Sequence, residues 1–119
     1  MAEQIYKQSG LGPDDIDAAI IYDAFTAIII FQLEAYGFCK RGEAHEWVKG
    51  GTLGPDGRLP CNTNGGQLSE GYVHGINGLA EGVRLIRGTS DNQTKKNDHV
   101  LVTSGVSMPT SAAILGKLS

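Results

Sequence analysis

Cysteine is scarce in this chain: only Cys39 and Cys61 occur among 119 residues, and neither sits at metal-ligand spacing. Two such thiols do not make the disulfide framework that small secreted domains rely on, so both are expected reduced in a cytoplasmic protein. Long apolar runs are missing as well. None exceeds Ala27–Phe31, far short of the ~20 residues a helix needs to span a bilayer. The N-terminus is polar, with no basic stretch leading into an apolar segment, so no secretory signal is read there. Charge of one sign is also lacking: ten Lys and Arg against thirteen Asp and Glu leave a net charge of -3. That gives no electrostatic reason to expect nucleic acid or an anionic membrane as partner. Neither the dinucleotide-binding fingerprint nor the phosphate-loop motif occurs, so a nucleotide-binding reading has no support.

Glycine, by contrast, is plentiful at 17 residues, gathered where loops lead into helices. The length suits one domain with a real core. Residues 2–8 read as a short helix stopped by Gly10 and Pro13. Ala18 to Tyr22 is a continuous apolar run bounded by turn signals, the mark of a buried parallel strand. Ala24 to Tyr36 is too long for one strand and ends in good helix formers, so a buried helix closed by Gly37 is expected. Glu43 to Lys49 reads as one or two helical turns, Thr52 to Leu59 as a loop, and Leu59 to Asn62 as a short strand. From Tyr72 to Ile86, apolar residues recur at three- and four-residue steps, which predicts a helix closed by Gly88. A polar loop follows over 89–98, expected to be the most mobile stretch. His99 to Ser104 and Ser111 to Leu115 are the last strands, expected as antiparallel neighbours. Helices alternating with strands make the fold class α/β.

Two segments then stand just past strand-like runs and lead into helix-like ones: Tyr22-Asp23-Ala24-Phe25, and Asn62 through Gly75. In an open α/β sheet the carboxyl ends of strands are where ligands bind. Tyr22, Tyr72 and His74 fall there. Each has a plainer reading: two partly buried aromatics whose hydroxyls find partners, and a helix-terminus histidine. A tyrosine with its ordinary pKa of ~10 needs a relay or an oriented partner to work at neutral pH. Asp23 and Glu70 flank the tyrosines and either orient them or favour a helix start. The glycines from Asn64 to Gly71 form either an anion cradle or, on glycines alone, a turn that needs positive φ. His45 reads as solvated and His99 as the opening of a strand. Both cysteines read as inert buried thiols.

Taken together the segments resemble the C-terminal half of the thiolase superfamily. Ser9-Gly10-Leu11, Asp14-Asp15-Ile16-Asp17 and Tyr22-Asp23-Ala24-Phe25 follow, in order, the family's Ala-Gly-Leu, Asp-Asp-Ile-Asp and Asn-Glu-Ala-Phe segments. Asn62-Thr63-Asn64-Gly65-Gly66 and Gly71-Tyr72-Val73 meet Asn-x-Asn-Gly-Gly and Gly-His-Pro. The resemblance covers residues 1–119 as one thiolase-like C-terminal domain. It implies a mixed sheet, with about four of five strands present, flanked by helices. Residues 31–39 and 68–75 resemble the lipid-transfer-protein or sterol-carrier-protein-x-like branch, whose members often carry the label acetyl-CoA acetyltransferase.

The departures from that pattern carry the functional expectation. The family's catalytic histidine falls on Tyr72, and the asparagine of Asn-Glu-Ala-Phe, a histidine in sterol-carrier thiolases, falls on Tyr22. The Cys-x-Gly motif falls near Ser104-Gly105-Val106, which holds no thiol. Two tyrosines so placed resemble the steroid side-chain aldolases of the branch, which cleave a β-hydroxyacyl-CoA to a ketone and a shorter acyl-CoA. The resemblance implies Tyr72 and Tyr22 as the acid/base pair with His74 assisting, acyl-CoA as substrate and no covalently bound cofactor. It further implies a missing N-terminal thiolase half, a zinc-ribbon/OB-fold partner subunit and an isolated domain that is inactive. An open sheet edge adds the expectation of a homo-oligomer. Two alternatives stay open: a thiolase or acetyltransferase acting through an N-terminal cysteine absent here, and a non-catalytic scaffold that binds lipid or acyl-CoA.

Overall fold

Alternate residues of three apolar strands face opposite sides of one sheet, and helices cover both sides. The structure, a computed structural model, describes residues 1–71, 73–105 and 110–118. Its elements are α1 (Ala2–Ser9), β1 (Ala18–Ile20), α2 (Thr26–Ala35), α3 (Ala44–Trp47), α4 (Gln67–Glu70), α5 (Ile76–Arg87), β2 (His99–Ser104) and β3 (Ser111–Gly116). Two short 3-10 turns, Pro13–Asp15 and Lys49–Gly51, join them. The sheet order is β1-β2-β3. β1 runs parallel to β2, with Ala18 opposite Val100, and β2 runs antiparallel to β3, with Leu101 opposite Ile114. The expected buried parallel strand and the antiparallel final pair are both present.

Side chains alternate across the strands as the pleat requires. Ala19, Ile21 and Leu101 join Ile5, Ile16, Leu33, Tyr36 and Leu59 in one core cluster, beneath α1, α2 and α3. Ala18, Ile20, Val100 and Val102 meet Leu85 of α5 on the other face. The helix lies close to the sheet because α5 carries Gly82 where a methyl group would stand 2.7 Å from Val102 Cγ2 and 2.9 Å from Leu115 Cδ1.

Several elements differ from the sequence expectation, each for a local reason. β1 stops at Ile20 rather than Tyr22, because the backbone beyond it is bonded to side chains instead of strands. The strand expected over Leu59–Asn62 is reduced to one parallel bridge between Ala19 and Cys61. Among the described residues the sheet therefore has three strands and a bridge, where four strands were expected. The helix expected from Tyr72 begins at Ile76, because His74 and Gly75 take φ of 54° and 92° and break the helical path. α2 is helical as expected but only half covered: Gln32 and Leu33 are buried, while Phe31 is 68% exposed. The 89–98 loop is fastened rather than loose. Gln93 and Asn97 donate to the Leu85 carbonyl, and Ser90 Oγ donates to Glu81.

Candidate functional site

Because β1 and β2 are parallel, their carboxyl ends open on the same edge of the sheet, and Tyr22 and Ser104 emerge there. The loop that starts α5 closes over them. A methyl group at Gly75 would stand 3.0 Å from Ser104 Oγ and 3.9 Å from Cδ2 of Tyr22, close enough that Ser104 would have to give way slightly. The φ of 92° at Gly75 demands glycine. His74 precedes it in the left-handed region and is exposed. A cavity of about 370 Å³ opens here, lined by His74, Gly75, Leu79, Thr103, Ser104 and Ser111. Tyr22, the His74-Gly75 turn and Ser104 are thus brought together, as the sequence placed them. Tyr72 lies outside the described residues.

Tyr22 is buried and its backbone is held by side chains. Its N–H donates to Thr103 Oγ1 at 3.0 Å, and its carbonyl accepts from Gln32 Nε2 at 2.7 Å. Thr103 Oγ1 donates in turn to Gln32 Oε1 at 2.5 Å. One residue earlier, the Ile21 N–H donates to Asn62 Oδ1 at 2.7 Å and the Ile21 carbonyl accepts from Asn62 Nδ2 at 3.0 Å. Sequence reasoning gave no role to Gln32, Asn62 or Thr103. The signals open to it were a glutamine inside the apolar stretch of α2 and the place of Asn62 at the head of the Asn-x-Asn-Gly-Gly match.

The loop from Asn62 to Gly71 is a turn held by polar side chains. Gly65, Gly66 and Gly71 all take positive φ, as the turn reading of these glycines expects. Asp23 Oδ1 accepts from the Gln67 N–H at 2.9 Å, so this carboxylate favours the start of α4, the plainer of its two expected roles. Glu70 accepts from Asn64 and Asn77. Beneath the loop, the buried Glu81 carboxylate accepts from Thr63 Oγ1 and Ser90 Oγ, each at 2.6 Å, and faces Arg84 at 3.5 Å. Phe25, Leu68, Val73 and Ile76, in the segments that surround Tyr22 and α4, are exposed.

The remaining candidates lie elsewhere. His45 is exposed beside Glu46, and His99 opens β2 at the opposite end of the strand from Ser104. Both cysteines are free thiols. Burial pushes the Cys61 thiol up to about 12, against a smaller lowering by the Ile21 backbone, and burial raises Cys39 too. Neither is an activated nucleophile at neutral pH. Among the described residues no group of three or more His, Cys, Asp or Glu could hold a metal ion.

The family described as "Thiolase C-terminal domain-like" matches residues 1–117. A steroid side-chain-cleaving aldolase of Thermomonospora curvata is 58% identical over 98% of this chain and 30% of its own length. A 17-hydroxy-3-oxo-4-pregnene-20-carboxyl-CoA lyase of Mycobacterium tuberculosis is 52% identical with the same coverage. Sterol carrier protein 2 of Bos taurus is 37% identical over 71% of this chain and 16% of its own. Among solved structures, an Ltp2-ChsH2(DUF35) aldolase superposes with a TM-score of 0.95 at 58% identity, over 98% of this chain and 30% of that one. The chain spans about 30% of the length of the aldolase and the lyase, the two curated relatives named first above.

Proposed function

Because the chain belongs to the thiolase C-terminal domain-like family, we propose that it forms the C-terminal part of a carbon–carbon lyase that cleaves a β-hydroxyacyl-CoA by retro-aldol chemistry. The carrying observation is the company Tyr22 keeps: it and Ser104 lie at the carboxyl ends of two parallel strands with Gly75 packed against both, and where the family's Claisen chemistry needs a thiol this chain has the Ser104 hydroxyl. The two thiols it does have are held protonated by burial. The likeness to a steroid side-chain-cleaving aldolase, at 58% identity, supports the same reaction class.

In that reaction Tyr22 and Tyr72 are the acid/base pair. One phenolate-like oxygen takes the proton of the β-hydroxyl. The Cα–Cβ bond breaks, the ketone leaves, and the bonding pair passes into the thioester as an enolate. Hydrogen-bond donors aimed at the enolate oxygen stabilise it, and the second tyrosine returns a proton to Cα. Protons balance, no oxidant is consumed, and no acyl-enzyme forms. His74, at the mouth of the cavity, assists the proton relay between the tyrosines and solvent. The exposed Phe25, Leu68 and Ile76 suit a substrate with an apolar chain or ring system.

The acting partners in this reading are an N-terminal thiolase-like half and a small zinc-ribbon/OB-fold subunit. The isolated chain is inactive, and it self-associates through its open sheet edge. Product analysis tests the reading. The whole protein, supplied with a tertiary β-hydroxyacyl-CoA, should release a ketone and a shortened acyl-CoA. Cleavage confined to a 3-ketoacyl-CoA with added CoA would return the protein to the thiolases. Neither product, with substrate still bound, would leave a scaffold.

A further inference from the structure

A strand that simply ends releases its backbone to water at little cost. At the end of β1 four consecutive backbone groups are instead taken up by three polar side chains from three separate elements. Asn62 pairs with both the N–H and the carbonyl of Ile21, acting as a one-residue strand. Thr103 and Gln32 do the same for Tyr22 in a closed ring: the Tyr22 N–H donates to Thr103, Thr103 donates to Gln32, and Gln32 donates back to the Tyr22 carbonyl. Gln32 and Thr103 are both buried, and ordering such side chains opposes folding. Asn62 also holds a φ of 51°, a left-handed conformation that asparagine adopts more readily than most residues. These bonds satisfy backbone groups that burial would otherwise leave unpaired. What this arrangement adds is a fixed direction for the Cα–Cβ bond of Tyr22.

We propose that Asn62, Thr103 and Gln32 are positioning residues that hold Tyr22 at the reacting bond; this rests on the lyase reading above. Their effect is on the chemical step. Reacting groups must sit in near-attack geometry, and a displacement of ~1 Å costs about 100-fold in rate.

The test uses the whole protein that carries this chain, as wild type, Thr103→Val, Thr103→Ser and Asn62→Asp. Valine keeps the volume of Thr103 but can neither accept from Tyr22 nor donate to Gln32, whereas serine can do both. Aspartate keeps the acceptor for the Ile21 N–H and loses the donor to its carbonyl. Steady-state turnover of a tertiary β-hydroxyacyl-CoA is measured together with fluorine NMR of fluorotyrosine-labelled protein, the Tyr22 resonance being assigned through Tyr22→Phe. Thr103→Val and Asn62→Asp are expected to lower kcat about 10- to 100-fold with KM within about twofold, and to shift the Tyr22 resonance. Thr103→Ser is expected to restore both. Folded variants with wild-type kcat, or with a change in KM alone, overturn the proposal. If Thr103→Val does not fold, Asn62→Asp decides. If the wild type cleaves no aldol substrate, the lyase reading fails by itself, and the resonance comparison still decides whether these residues set the tyrosine.

Discussion

Gly66 takes a φ of 76°, and a methyl group there would collide with the Asp23 carboxylate that holds the start of α4. Gly66→Ala should therefore lower the unfolding free energy by about 2 kcal/mol or more, through left-handed strain and a displaced carboxylate. Urea denaturation reads this directly, and an unchanged midpoint contradicts it. Cys61 ties stability to pH. Burial lifts the thiol from 9.0 to about 12. Between those values the native state keeps a proton that the unfolded chain has lost, so stability is full below about pH 9 and declines as pH rises toward 12. Tyr6, pushed up to about 12 by burial, adds to the same decline. Cys61→Ala should make the fall in stability between pH 9 and 12 shallower than in the wild type, as thermal melts across that range would show; equal slopes would remove the thiol from the account. The same burial keeps Cys61 out of nucleophilic chemistry and leaves the site to oxygen acids.

Among elements, α5 links the two halves of the site. Its first turn follows Gly75 against Tyr22, and its middle carries Glu81, whose carboxylate ties Thr63 and Ser90 beneath the Asn62–Gly71 loop. Glu81→Ala leaves both hydroxyls without their charged acceptor, and should cost about 2–3 kcal/mol. Arg84 is half exposed and turns to solvent, so it adds little. Chemical denaturation of Glu81→Ala against wild type measures the loss; a change under ~0.5 kcal/mol speaks against a structural role. The elements legible in the sequence were those whose signal is local. β2 and β3 announce themselves as short apolar runs, and α5 through its three- and four-residue spacing of apolar side chains. Its start was not legible, since Val73 and Ile76 keep the period while a non-glycine, His74, takes positive φ. The Leu59–Asn62 strand was overread because apolar character there serves packing of Leu59 more than sheet pairing. That Asn62, Thr103 and Gln32 hold the end of β1 was not legible, for a different reason. Their bonds cross 41 residues from Ile21 to Asn62, 81 from Tyr22 to Thr103 and 71 from Gln32 to Thr103, and no local pattern encodes such distances. The alternation of strand-like and helix-like runs, by contrast, was enough to place Tyr22 and His74 at the carboxyl ends of the strands, and the resemblance drew attention to Ser104.

At the scale of the molecule, the chain is a sheet with covered faces and open edges. Among the described residues no strand pairs with the outer edge of β3, and β1 has only the Cys61 bridge beyond it. Unpaired edges invite pairing with another chain, so the isolated chain should sediment as an oligomer or a concentration-dependent mixture; a single monomeric species at high concentration argues against this. The relatives that match almost all of this chain are more than three times as long, which fits a site completed by other parts of a larger protein. The central claim is that Tyr22 works at the reacting bond rather than merely filling space. The most direct measurement compares the whole protein with its Tyr22→Phe variant, following single-turnover cleavage of a tertiary β-hydroxyacyl-CoA and, separately, equilibrium binding of that substrate. The account predicts a rate lowered by about 100-fold or more, as for loss of a general acid or base, with affinity and thermal stability close to wild type. A Tyr22→Phe protein that cleaves at the wild-type rate, or that fails only because substrate no longer binds, would contradict it.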